Sequence, residues 1–242
     1  MSHFFHIIIS EPFYNGFIAL INLLPFLDAG VVIIIFTIII KFILFPLSLK
    51  ASRAQIEMKS IEKDLNLIKE KYPDKNEQGQ KTIEYYKEKG INPFAGFFVL
   101  LIQLPIIIGL YRVFLKSGLP LVNASMLYSF VAVPASINMV FLHIINIAEK
   151  SIVLAIIAGV TTYFQISLAN PKQPESNSNS TGMKADIGKA MAMQMKYFFP
   201  ILVIFISYSI SAAVAIYWIT SNVFQIFQDI YTRKKYSVVV VK

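Results

Sequence analysis

Apolar residues in this chain fall into blocks of bilayer length, separated by polar stretches. Residues 29–49 read AGVVIIIFTIIIKFILFPLSL and carry a single charge before Lys50. As one helix, 21 residues at about 1.5 Å each cover about 31 Å, a full hydrocarbon core. Residues 93–115 and 151–169 form a second and a third block of the same kind. The last block runs from residue 197 to 231, and as one helix it would reach about 52 Å, too long for a single crossing. It is therefore expected to fold back near residues 209–212 and to give two spans, 197–210 and 212–231. The pattern predicts an all-α polytopic membrane protein with five spans.

The intervening stretches differ in kind. Residues 1–28 are apolar but broken by Glu11, Pro12, Asn15, Asn22 and Pro25, while Phe13, Phe17, Leu20, Ile21 and Leu24 recur at helical spacing. They predict an interfacial amphipathic helix. Residues 50–90 hold ten Lys/Arg and eight Asp/Glu, with Pro73 and Gly79 in the middle, which predicts two antiparallel helices outside the membrane. Residues 116–150 are apolar yet interrupted by Pro120, Pro134 and Asn138, and are expected to be an external loop lying at the interface with short helices. Residues 170–196 begin as a low-complexity linker, and 232–242 form a basic tail.

Composition agrees with this layout. Hydrophobic residues make up 56% of the 242 and charged residues only 15%, against about 25% charged in soluble domains. If residues 50–90, 170–196 and the tail lie inside, they hold eighteen of the 22 Lys/Arg, whereas residues 1–28 hold none. That bias sets the N-terminus outside and the C-terminus in the cytoplasm, and the net charge of +8 reports topology and contact with anionic lipid. The chain has no cysteine, so disulfides and thiolate chemistry are excluded. The start has no basic segment of the signal-peptide kind.

Candidate chemistry centres on Lys41. A cation in the bilayer core costs roughly 2.5–3.5 kcal/mol. Lys41 lies nine residues before Lys50, about 13 Å along a continuous helix, which is deep for a side chain that merely snorkels to the headgroups. Thr37 sits one turn earlier on the same face, and Gln103, Thr161, Thr162, Gln165, Asn222 and Gln225 are polar residues within other spans. Together they could line a hydrated groove around Lys41, or, in the plainer reading, bond helices to one another. Ser48 is two turns from Lys41, about 10 Å and too far for a direct dyad. His3, His6 and His143 are scattered and lack a third ligand. A small-solute transporter with an intramembrane Lys is the main competing function, although no internal repeat accompanies it.

Three stretches resemble membrane protein insertases of the YidC/Oxa/Alb family. They are IIIKFILFPLSLKASRAQIEMKSIEKDLNLIKEKY (residues 38–72), GINPFAGFFVLLIQLPIIIGLY (90–111) and AIYWITSNVFQIFQ (215–228). The resemblance implies a five-span form with no large periplasmic domain, in a bacterial plasma membrane. Its groove would open to the cytosol and the lipid and stay closed outside. The implied task is to insert and help fold other membrane proteins, alone or with the Sec translocon, with no cofactor and no turnover chemistry. Lys41 would attract the substrate's translocating tail, and its apolar segment would slide into lipid past Tyr217 and Trp218. Nascent membrane proteins, the ribosome and anionic lipid are the implied partners, and a monomer would suffice. Lys41 stands where the family usually has Arg. Val99 replaces the usual Pro before the LIQ element, and Ser211-Ala212-Ala213 replaces PAG before the last span.

Overall fold

The computed structural model describes residues 10–92, 106, 108, 109, 119, 121–169 and 194–236. The expected second span with Gln103, His3 and His6, most of the 170–196 linker and the end of the tail lie outside the described residues. The fold is helical: α1 is Glu11–Leu23, α2 Ala29–Ile43, α3 Phe45–Ser60, α4 Glu62–Lys71, α5 Lys75–Lys89, α6 Ile152–Ala169, α7 Phe199–Ile210 and α8 Ala212–Tyr236. The chain forms two compact units, one from residues 1–42 and 105–227, the other from 43–104 and 228–242.

In the first unit α1 turns Tyr14, Phe17, Ile18 and Ile21 inward. Phe13 and Phe17 meet Phe36 of α2 edge-on, each at 5.8 Å between ring centres. The face read as an interfacial surface is thus partly a packing face against α2. Helices α6 and α7 pack closely at Gly159, where an added Cβ would lie 2.3 Å from Cγ1 of Ile204 and 3.0 Å from the Pro200 carbonyl. Ser211, in extended conformation, separates α7 from α8.

The structure departs from the expected single helix over residues 29–49. Helix α2 stops at Ile43 and a new helix begins at Phe45. Pro46 supplies the reason: it has no N–H to return to the Phe42 carbonyl, and its ring crowds that carbonyl, so a helix cannot run through it. The Leu44 carbonyl instead accepts from Leu47 and Ser48 and opens α3. Among the described residues, α6 alone is long and apolar enough to cross a membrane, and the broken pair α2–α3 would be a second such element if it is one span.

Between α1 and α6, the stretch expected to hold short helices contains one 3-10 turn, Ala124–Met126, and a β-hairpin. Its strands, β1 (Val140–Phe141) and β2 (Ile145–Asn146), pair Val140 with Asn146 and Phe141 with Ile145. Leu142 and His143 at the turn both have positive φ, the geometry that matches strand twist. Asp28 holds this unusual turn. One carboxylate oxygen accepts from the Val31 N–H at 2.9 Å, capping α2, and the other accepts from Leu142 N–H at 3.2 Å. Ala29 donates to the Asn138 carbonyl, and Ala212 and Ala213 at the start of α8 donate to Glu149 and Ile147. The hairpin therefore satisfies free amides at two helix N-termini.

In the second unit, the polar insert contains three helices rather than two, because Ile61 separates α3 from α4. Helix α5 is capped at both ends: Asp74 accepts from the Glu77 amide, and Gly90 closes the last turn at φ 65. Tyr85 of α5 donates to Asp64 of α4, which with burial pushes the phenol up to about 12.

Two outcomes follow from this packing. Gly159→Ala should destabilise the protein by about 1–3 kcal/mol, as overpacking does, and Ile204→Ala in the same chain should restore part of the loss in detergent thermal unfolding. The Tyr85–Asp64 bond needs a protonated phenol whose folded value lies above the ordinary 10. Its contribution is complete below pH 10 and is lost as pH rises toward 12. Spin labels at Asn66→Cys and Glu88→Cys should report a narrow distance at pH 8 that broadens across that window, while added Tyr85→Phe should broaden it at pH 8 already.

Candidate functional site

Lys41 is buried, with 9% of its surface exposed, and the break at Leu44 changes its setting. It lies in the last turn of α2 rather than mid-helix. The last carbonyls of a helix lack intrahelical partners, and the dipole there amounts to roughly −0.5 of a charge. A cation at that position gains about 0.3–1 kcal/mol, and up to about 2 when partly buried. That offsets part of the insertion cost. Pro46 thus contributes to the site at a distance of five residues, by ending the helix under the cation. Thr37, one turn earlier, is also buried and donates its hydroxyl to the Ile33 carbonyl at 2.7 Å.

Three other expected groove residues come together. Asn222 of α8 donates through Nδ2 to Thr162 Oγ1 at 2.8 Å and to Thr161 Oγ1 at 3.1 Å. Both threonines donate to the Ala158 carbonyl. This cluster bonds α6 to α8, the structural role weighed against a groove lining. Gln165 and Gln225 are half-buried. Tyr217 and Trp218 are buried, their rings 6.4 Å apart, so neither is an exposed slide for substrate. The exposed apolar side chains nearby in sequence are Val223 and Phe227, and Phe42 of α2 is exposed too and meets Phe224 edge-on.

A second polar cluster, in the other unit, was not anticipated. Ser48 Oγ donates to Gln228 Oε1 at 2.8 Å, with the Phe45 carbonyl 3.1 Å away. Gln228 Nε2 reaches Ser52 Oγ at 3.3 Å, and Ser52 Oγ donates to Asp229 Oδ1 at 3.2 Å. Ser52, Gln228, Asp229 and Thr232 are all buried. The only signal available was spacing: Ser48 and Ser52 lie four apart on α3. The Ser48 hydroxyl is thus bonded to Gln228. Among the described residues no three His, Asp or Glu side chains group as metal ligands would.

These features define a helical protein with apolar helices and a buried cation at the end of one of them. The family model for the 60Kd inner membrane protein matches residues 22–238, and the chain belongs to that family. The chain is 35% identical to the membrane protein insertase YidC of Clostridium tetani, covering 91% of this chain and 88% of that one. With the YidC of Fusobacterium nucleatum it shares 34% identity, over 85% and 86%, and with the insertase MisCA of Bacillus subtilis 30%, over 82% and 68%. A crystal structure of an active YidC insertase with its first transmembrane domain resolved shares the fold, at a TM-score of 0.53 and 22% identity. The match covers 86% of this chain and 42% of that one. Nothing in these relatives supports the solute-transporter reading, which is set aside.

The Asn222 cluster can be weighed by a double-mutant cycle. Asn222→Ala combined with Thr162→Val should give a coupling energy near 0.6 kcal/mol and below about 2, the range for hydrogen bonds between membrane helices, in reversible unfolding from bicelles. A coupling indistinguishable from zero would mean the bond does not hold α6 to α8.

Proposed function

We propose that this protein inserts and helps fold integral membrane proteins, with Lys41 as the group that captures the translocating tail of the substrate. The carrying observation is a buried cation in the last turn of α2, in a chain whose relatives are named membrane protein insertases. In this reading five spans enclose a groove open to the cytosol and the lipid, the N-terminus lies outside and the C-terminus inside. Thr37, Gln103, Gln165 and Gln225 keep the groove wet around Lys41. Thr161, Thr162 and Asn222 form its braced wall, and Tyr217 and Trp218 back it.

An acidic or polar tail entering from the cytosol meets Lys41 where the dielectric is low and its attraction is correspondingly larger. The tail then has only the outer leaflet left to cross. The apolar segment that follows leaves the groove for lipid across the exposed Val223 and Phe227 side, and its transfer drives release. No covalent chemistry and no cofactor are needed. The helical insert at residues 50–90 receives the nascent chain beside the ribosome or the Sec translocon. On the inner side Lys196, stacked on the Tyr163 and Tyr197 rings, faces anionic headgroups.

Lys41→Ala should reduce insertion of small clients with acidic tails by about tenfold or more in reconstituted liposomes, equivalent to ~1.4 kcal/mol of lost stabilisation. Lys41→Arg should keep most of the activity because it keeps the charge. Wild-type insertion by Lys41→Ala would end the capture role.

A further inference from the structure

We propose that the external segment of residues 121–148, together with Leu23 and Phe26, is embedded in the lipid of the outer leaflet as an anchor. This rests on the membrane reading above and deepens it. The first observation is that these 28 residues include no Lys, Arg, Asp or Glu, and that charge returns only at Glu149 and Lys150. The second is the direction in which their side chains point. Leu121 is 79% exposed, Phe130 81% and Ile144 80%, and Val133, Leu142, Leu23 and Phe26 are exposed as well. A loop in water would not present so many large apolar groups while carrying no charge.

The third observation is independent of exposure. Four backbone polar groups of this segment are bonded to side chains of α1. Asn15 donates through Nδ2 to the Met126 carbonyl at 2.9 Å and accepts from the Tyr128 N–H at 2.6 Å. Asn22 donates to the Ala132 carbonyl at 2.6 Å, and the Tyr14 hydroxyl accepts from Asn123 N–H at 2.7 Å. Further along, Asn138 Oδ1 accepts from Val140 N–H, and Ile147 N–H pairs with Met139. Irregular backbone survives next to hydrocarbon only when such groups are satisfied within the protein. The segment thus differs from an aqueous loop in presenting Leu121, Phe130 and Ile144 outward with no charge beside them, while its exposed polar side chains, Asn123, Ser129 and Asn138 among them, are uncharged and suit the headgroup border. Its attachment to the N-terminal ends of α2 and α8 joins it to helices that carry the spans, so one lipid surface continues onto the other. A second copy or another protein on this face would find no charged side chain of residues 121–148 to pair with.

The test uses the full chain, which has no native cysteine, so single labels are unambiguous. Phe130→Cys and Ile144→Cys are labelled with an environment-sensitive fluorophore and reconstituted at low density into vesicles of phosphatidylethanolamine and phosphatidylglycerol. Phe164→Cys, on the exposed face of α6, reports whether the protein sits in the bilayer. Asn76→Cys, exposed at the start of α5, is the aqueous reference. The expected result is quenching of the 130 and 144 labels by shallow brominated lipid as strongly as at 164, with iodide quenching several-fold weaker than at 76. If 164 is lipid-quenched while 130 and 144 follow 76, the anchor is overturned and the membrane reading stands. If 164 also follows 76, the membrane reading itself fails. Shielding of 130 and 144 from both quenchers that disappears on dilution would assign the face to a second copy and overturn the lipid anchor.

Discussion

The rest of the molecule is arranged around one expensive group, the buried ammonium of Lys41. A continuous helix would leave that charge against saturated backbone in hydrocarbon. Ending α2 at Ile43 puts Lys41 in the last turn, at the negative end of a helix dipole. The agent is Pro46, which cannot donate to Phe42 and cannot be accommodated within the turn above it. Charge and break thus belong to one device: the break makes the charge tolerable. It also redirects the chain into α3 and the polar insert.

The N-terminal end of α2 is fixed by side chains from outside the helix. Asp28 caps the helix and holds the hairpin turn with its two oxygens. Gly30 admits the Phe141 ring, which an added Cβ would meet at 2.4 Å. The same hairpin receives the first amides of α8. Helix α8 in turn carries Asn222, which ties it to α6.

Much of this was legible in the sequence. Lys41 could be singled out because it is the one cation in the apolar block 29–49 and lies deep for a side chain that merely snorkels. The family could be recognised because residues 90–111 and 215–228 combine polar, aromatic and small residues at fixed spacing. What periodicity missed has physical causes. The end of the first apolar block near Pro46 was legible, but not that a new helix starts as early as Phe45, because apolar residues continue on both sides of the proline. The β-hairpin rests on Leu142 and His143 at positive φ, where Asn-Gly would have announced a turn; Asp28, more than a hundred residues away, supplies the stabilisation. The Ser48–Gln228–Ser52–Asp229 chain joins residues far apart in sequence. The resemblance places Tyr217 and Trp218 along the substrate's path, but only the packed structure shows that both are buried.

The central claim is that a client chain passes beside Lys41. Site-specific photocrosslinking from Thr37, one turn away on the same face, tests it most directly. A photoreactive residue at Thr37, with another at Phe164 on the outward side of α6 as reference, is challenged with ribosome-bound nascent chains of increasing length. The account predicts adducts at Thr37 that appear when the client's tail has reached the inner leaflet and disappear once its span is released. Absence of adducts at Thr37 at every length, with insertion proceeding normally, would contradict it.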